Sequence, residues 1–197
     1  MPKVVPEYKE EAKNRILEAA YNVFAEKGYR QATMDDVASK LRVSKGALYL
    51  YYESKEELFE AIARTAPRAL KEILYSSFNQ KMNPAQSASE FFDKMLKHYG
   101  SNSGLSFEIV SEATRNPVVR RVLRENHDEY TKILMGFFQE MRRKKLVGED
   151  LDLRALSHAL IALWNGLETS VVSGLPVGEV KRAWLEAMKA MFRYQHA

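Results

Sequence analysis

Residues 32–58 read ATMDDVASKLRVSKGALYLYYESKEEL, and their spacing predicts a helix, a tight turn and a second short helix. Thr33 and Asp36 stand three apart as a capping box does, the hydroxyl answering an orphan N–H and the carboxylate answering back. A helix is therefore expected from Thr33 or Met34 to Leu41, with Val37, Ala38 and Leu41 on one apolar face. Arg42 and Val43 are too few for a linker, Ser44 is a suitable N-cap, and Lys45 to Tyr51 makes a helix of barely two turns. Ser54 and Glu57 repeat the capping-box spacing ahead of a further helix. Two short helices joined this tightly form a helix-turn-helix.

The same spacing assigns faces. Leu48 is expected to join Val37, Leu41 and Val43 in a small core, which turns positions 45, 46 and 49 outward at the end of the motif that enters a DNA major groove. Lys45 offers a donor to guanine O6 or N7, and Tyr49 offers a ring to a thymine methyl or a hydroxyl to phosphate. Gly46 costs a helix roughly 1 kcal/mol against alanine, so close approach of backbone to DNA explains it better than folding does. Short crossed helices also occur in proteins that bind no DNA. The turn, both caps, the outward Lys-Gly-x-x-Tyr set and Lys55 after its cap, all in one stretch, make the pattern specific.

At these residues the sequence resembles the TetR family of transcriptional regulators. The resemblance is carried by Val43-Ser44-Lys45-Gly46-Ala47-Leu48-Tyr49, by Tyr51-Tyr52 and by Ser54-Lys55-Glu56-Glu57-Leu58, and it extends back through Ile16 to Ala20, Phe24, Gly28-Tyr29 and Thr33. It implies that Thr33, Ser44, Tyr51 and Lys55 are similar to phosphate-contacting positions, and that Lys45, Gly46 and Tyr49 resemble base-facing ones. Leu50 departs from the pattern, standing where many members carry a histidine or other polar residue. The fold implied is all-α with about nine helices: a helix-turn-helix DNA-binding domain over 1–53 and a helical ligand-binding and dimerisation domain over 54–197.

With 197 residues, 46% hydrophobic and 28% charged, the chain is ordinary for a globular protein and not a disordered tail. A net charge of +4 and a pI near 9.1 permit an anionic partner without demanding one, so clustering of the basic residues carries the argument. The absence of cysteine excludes a disulfide framework, a thiolate nucleophile and cysteine-ligated zinc, and fits the reducing cytoplasm, the expected location. Neither the N-terminal Met-Pro-Lys-Val-Val-Pro-Glu nor any later segment reads as a signal peptide or a membrane span.

Along the chain, residues 1–6 with two prolines and Lys3 are expected to be extended, as a frayed terminus or as a basic arm reaching a minor groove. A helix from Glu7 to Lys27 turns Ile16, Leu17, Ala20, Val23 and Phe24 inward, with Gly28 as its C-cap. Lys55 opens one long helix to about Phe78, kinked at Pro67, which reads as a mechanical coupler or as a surface helix bent around its core. Asn83-Pro84 opens a helix to Tyr99, and Gly100 to Gly104 breaks the chain. A short helix runs from Leu105 to Arg115, and Asn116-Pro117 starts a long one to about Lys145. Asp152 caps a helix to Ser173, and residues 178–195 form the last.

Aromatic and methionine side chains recur at helical spacing through the middle of the chain, and periodicity alone allows plain core or a ligand box. The family resemblance implies a ligand cavity, with Phe92, Met95, Tyr99, Phe107, Tyr130, Leu134, Phe138 and Trp164 as its walls. Arg115, Arg120, Arg121 and Arg124 around the start of the long helix are either a solvated surface or an anion clamp, since guanidinium matches phosphate geometry. Glu112-Ala113-Thr114-Arg115-Asn116-Pro117 resembles a segment of TetR-like regulators that sense fatty acyl-CoA esters, which implies an effector of that class.

Small residues form a seam in each of the last two helices: Ala155, Ala159, Ala162, Gly166, Ser170 and Ser173, then Ala183, Ala187 and Ala190. Such seams let backbones approach closely, within a subunit or across a four-helix homodimer interface. No nucleophile elbow, zinc-protease motif, phosphate loop or di-iron pair is present, and His98, His127, His158 and His196 fall on different predicted helices. No catalytic residue, metal or cofactor is therefore expected. The expectation is a homodimeric repressor that binds a palindromic double-stranded DNA operator and is released by a small lipophilic effector of the acyl-CoA kind. The alternative is a helical enzyme or scaffold with a lipophilic pocket, and a scaffold leaves Lys45, Gly46 and Tyr49 unexplained.

Overall fold

The computed structural model describes residues 6–78, 83–99 and 103–192, and among them the chain is all-α. The helices are α1 (Pro6–Lys27), α2 (Met34–Leu41), α3 (Lys45–Tyr49), α4 (Lys55–Ala63), α5 (Ala66–Ser77), α6 (Pro84–Tyr99), α7 (Ser103–Glu112), α8 (Pro117–Arg143), α9 (Leu153–Val172) and α10 (Val177–Met191). Of the extended arm expected over residues 1–6 and the break expected over 100–104, residues 1–5 and 100–102 lie outside the described residues, as does His196, while Pro6 already opens α1 and Ser103 and Gly104 already belong to α7.

Local chemistry sets most of these boundaries. Gly28 ends α1 at φ +78°, a left-handed position open to glycine at no steric cost. Thr33 and Asp36 form the full capping box of α2: the hydroxyl accepts from Asp36 N–H at 3.2 Å and the carboxylate accepts from Thr33 N–H at 3.0 Å. Ser44 caps α3, accepting from Ala47 N–H at 3.2 Å. Asn116 accepts from the N–H groups of Val118 and Val119 to start α8, and Asp152 does the same for Arg154 and Ala155 at α9.

Four expectations need correction. The long helix from Lys55 to Phe78 is two helices, because Pro67 lacks an N–H and its ring would meet the carbonyl of Ala63, where α4 stops. Thr65 closes α4 by donating backbone N–H and hydroxyl to Ile62 O at 3.0 and 2.7 Å. The second capping box is only half formed: Ser54 accepts from Glu57 N–H at 3.1 Å, while the Glu57 carboxylate accepts from Glu53 N–H at 2.6 Å, one residue earlier than the motif requires. The recognition helix α3 stops at Tyr49, since the N–H groups of Tyr51 and Tyr52 turn back onto Leu48 O. Val43 is 44% exposed, because the left-handed residue Arg42 (φ 56°) delivers it to the surface.

The chain forms two compact units. One runs to Ala66 and takes in Gly104–Arg124; the other holds Pro67–Ser103 and runs on from Glu125. The chain crosses between them at 66/67, 103/104 and 124/125, the last crossing falling inside the continuous helix α8.

The first unit centres on Ala20, Val23 and Phe24 of α1, Val37, Leu48, Leu58 and Phe59, with Ile109, Val119 and Val122. Leu48 and Val37 are fully enclosed, each burial contributing about 1.5–3 kcal/mol. Tyr29 lies edge-on to Phe24 and Phe59, with ring centroids 5.4 and 5.3 Å away. In the second unit α6, α8, α9 and α10 enclose Phe91, Phe92, Phe137, Phe138 and Trp184. Trp184 stacks on Phe91 and donates its indole N–H to Ala88 O at 2.8 Å, so its one polar group is satisfied. Most of the small residues of α9 and α10 lie outside this core: Ala155, Ala159, Ala162, Gly166, Ala183 and Ala190 are exposed on the protomer, whereas Ala187 packs against the core.

Candidate nucleic-acid interface and effector pocket

In the first unit, burial of Val37 and Leu48 turns the opposite face of α3 to solvent. Lys45, Gly46 and Tyr49 are exposed there, as their spacing predicted, together with Ser44 and Leu50. Leu50 is 82% exposed, a large apolar side chain that contributes nothing to the core. A Cβ added at Gly46 would meet nothing within 4 Å, so the protein's own packing does not require glycine at this position. Lys45 Nζ lies 2.7 Å from Asp35 Oδ1 and 5.9 Å from the centre of the Tyr49 ring. The neighbouring Asp35 carboxylate raises the Lys45 pKa above its ordinary value.

The other proposed contact residues carry structural duties as well. The Thr33 hydroxyl donates to Asp36 at 2.8 Å, and Lys27 pairs with the same carboxylate at 2.6 Å; the hydrogen bonds from Lys27 and Thr33 hold Asp36 below the usual carboxylate range. Tyr51 is half-buried against the core. Lys55 donates to the carbonyls of Tyr29 at 2.9 Å and Arg30 at 3.2 Å, and its ammonium stands 4.7 Å from the Tyr29 ring centre. It fastens α4 to the turn after α1.

In the second unit a narrow cleft of about 20 Å³ is lined by Phe92, Leu96, Tyr99, Trp164, Leu167, Glu168, Val171 and Val180. Three of the expected wall residues, Phe92, Tyr99 and Trp164, line it. Met95, Leu134 and Phe138 are buried in the core of the same unit. Burial pushes the Tyr130 phenol up to about 12, with a hydrogen bond to Tyr99 opposing the shift. A larger hollow of about 570 Å³ over Gln86, Glu90, Asp93 and Lys97 is an open trough on the polar face of α6, without the apolar walls of a ligand site.

Phe107, half-buried on α7, and the four arginines belong to the first unit. Arg120 donates to the carbonyls of Ala113 and Thr114, each at 2.9 Å, and so closes the α7–α8 turn. Arg121 pairs with Glu60 at 2.7 Å. Hydrogen bonds from Arg121 and Arg64 bring the Glu60 carboxyl down to about 2. Arg115 and Arg124 are exposed.

Residues 16–62 match the model of the bacterial regulatory proteins of the tetR family, and residues 84–192 match that of the BetI-type transcriptional repressor C-terminal domain. The chain belongs to the TetR family. It is a DNA-binding transcriptional regulator with a helix-turn-helix and a C-terminal ligand-binding domain. It is 32% identical over 144 residues to the uncharacterized HTH-type transcriptional regulator YfiR of Bacillus subtilis, a match covering 71% of this chain and 69% of YfiR. The fold is similar to that of Salmonella enterica GusR (TM-score 0.77, 24% identity, 98% and 100% of the two chains covered). It is also similar to Bacillus subtilis FadR in complex with stearoyl-CoA (TM-score 0.71, 21% identity, 89% and 96% covered).

Two features of this TetR-family chain escaped its sequence. Asp35, which pairs with Lys45, reads locally only as a first-turn acid favouring the helix dipole. His127 and His158, on α8 and α9, approach to 2.8 Å between Nε2 and Nδ1, their rings within 7° of parallel. They form a two-residue pair; among the described residues no group of three or more His, Asp or Glu side chains could hold an ion. Also among the described residues, no helix is long and apolar enough to cross a membrane.

Proposed function

We propose that this regulator is a homodimeric repressor whose two recognition helices enter major grooves one DNA turn, or a multiple, apart on a palindromic operator. The observation that carries the proposal is the exposed Lys45, Gly46 and Tyr49 edge, where glycine stands without any demand from the fold. Lys45, Gly46 and Tyr49 face bases, and Thr33, Ser44, Tyr51 and Lys55 serve the phosphates. DNA binding is assigned to residues 1–53 and effector binding and dimerisation to 54–197. The exposed small-residue seams of α9 and α10 support dimerisation through those helices, since two copies could pack them closely. Work on chromosomal DNA and the absence of cysteine support a cytoplasmic location.

The effector is a small lipophilic molecule that enters by parting Phe92, Tyr99 and Trp164, since the cleft of about 20 Å³ between them has to widen to hold it. Similarity to FadR bound to stearoyl-CoA supports a fatty acyl-CoA. A lipophilic organic cation is the second reading, favoured by the Glu168 carboxylate among three aromatic rings of the cleft. Effector binding favours a state whose reading heads are wrongly spaced for DNA, with α8, continuous across the 124/125 division, as the transmitting element. By linkage, operator DNA then weakens effector binding by the same factor.

The test is a titration of the purified protein against its own upstream DNA at fixed salt, with random DNA as control, alone and with long-chain acyl-CoA or a hydrophobic quaternary amine. Tight specific binding released by one ligand supports the repressor and names its effector class. No preference over random DNA overturns the proposal.

A further inference from the structure

The reading head carries a negative charge at the edge where its partner is a polyanion. Asp35 in the first turn of α2 and Lys45 at the start of α3 keep 62% and 57% of their side chains exposed while Oδ1 and Nζ stand 2.7 Å apart. An exposed pair of this kind adds little to folding. Nor does α2 need a second acid for its own sake, because Asp36 already completes the capping box, pairs with Lys27 and favours the helix dipole.

We infer that Asp35 is a specificity-determining residue: with Lys45 it presents a donor and an acceptor side by side that match the neighbouring acceptor and donor of one G·C pair in the major groove. Lys45 donates to guanine O6 and N7, and the Asp35 carboxylate accepts from cytosine N4. The carboxylate also fixes an ammonium that otherwise swings on a flexible four-carbon stem. Replacing G·C by A·T sets the adenine amino group against the ammonium and thymine O4 against the carboxylate, like facing like. T·A restores that order but puts a methyl where Lys45 would find guanine N7. The inference rests on the base-facing role proposed for Lys45.

The test is selection of binding sites from a random duplex library at fixed salt, using full-length wild type, Asp35→Asn, Lys45→Ala and the double variant. Wild type is expected to enrich a motif with G·C at one symmetric position per half-site. Asp35→Asn should lose roughly tenfold of the discrimination at that pair while binding random DNA no worse. The double variant should lose less than the product of the two single losses, the mark of a coupled pair. Asp35→Glu, with the charge kept on a longer arm, should fall between Asp35→Asn and wild type, and thermal unfolding alongside confirms that each variant is folded. An unchanged motif in Asp35→Asn, or equally raised affinity for every sequence, overturns the inference. Failure of the wild type to enrich any motif defeats instead the DNA reading beneath it.

Discussion

The Glu108 carboxylate accepts a hydrogen bond from the backbone N–H of Arg30 at 2.8 Å and fills the space where a side chain on Gly28 would lie. Within the first unit, α7 is thereby tied to the turn that leads from α1 into α2. Gly28→Ala is doubly penalised. Its φ of +78° costs an L-residue about 1–2 kcal/mol, and its Cβ would stand 2.5 Å from Glu108 Oε2. The glutamate can swing away, but only by releasing Arg30 N–H. Urea unfolding should show a loss of about 2 kcal/mol or more. Glu108→Ala in the Gly28→Ala background should cost less than it does alone, because the contact is already broken.

Gly46→Ala should move stability and function in opposite directions. The added methyl meets nothing in the protein and removes a glycine from a helix, so the variant should gain up to about 1 kcal/mol in thermal unfolding. In the proposed docking the same methyl would block the approach of backbone to DNA, and operator affinity should fall roughly tenfold or more, about 1.4 kcal/mol. A variant equally tight on operator DNA would remove Gly46 from the interface.

What was legible in the sequence follows the range of the interactions. Thr33 with Asp36 and Ser44 with Ala47 act across three residues, so caps and helix starts could be read directly. Gly28 and Asn116 were equally readable as punctuation. Pro67 was visible as a disturbance, yet kink or break depends on whether the freed carbonyls find partners, and Thr65 supplies one alternative ending. Long-range pairs were out of reach. Nothing at Lys55 announces that its ammonium will seek the carbonyl of Tyr29, 26 residues earlier. The wall of the cleft was legible only in part for the same reason: helical spacing puts Phe92, Leu134 and Phe138 on inward faces alike, and packing alone decides which of them borders space.

Lys45 and Lys55 should fail differently. Lys45→Ala should relax sequence choice at one base pair and leave folding nearly untouched. Lys55→Ala should weaken binding to operator and random DNA alike and reduce the salt slope by about one. It should also destabilise the protein by about 1–3 kcal/mol, because two backbone carbonyls lose a charged donor. Binding isotherms at several salt concentrations, with thermal unfolding of each variant, separate the two effects. Equal losses on specific and random DNA for both variants would contradict the division of labour.

Glu60 supplies a pH dependence. Its carboxyl is held at about 2 against an ordinary 4.5 by Arg121 and Arg64. A depressed carboxyl stabilises the folded state above the unfolded-state pKa, and that contribution is lost as pH falls toward the folded value. The stability gap between wild type and Glu60→Gln should therefore be constant near neutrality and close between about pH 4.5 and 2. The two arginine partners keep 64% and 45% of their side chains exposed, so after screening the neutral-pH gap should be about 1 kcal/mol and should shrink further in high salt. A gap independent of pH would mean that the bridge contributes through packing alone.

Ala162 and Gly166 test the dimer. Both are exposed on the protomer, and a Cβ at Gly166 would meet nothing within 4 Å, so neither residue is small for the sake of internal packing. In an isologous interface each residue lies near its own copy or that of a neighbour, so Ala162→Arg would bring two guanidinium groups together at a seam built for close backbone contact. Sedimentation equilibrium should show the dimer dissociation constant rising by roughly a hundredfold, about 2.7 kcal/mol, with helical content unchanged. Operator affinity should fall with it, because a single reading head makes only half the contacts, while binding to an isolated half-site should stay the same. A variant that remains dimeric would move the interface away from α9.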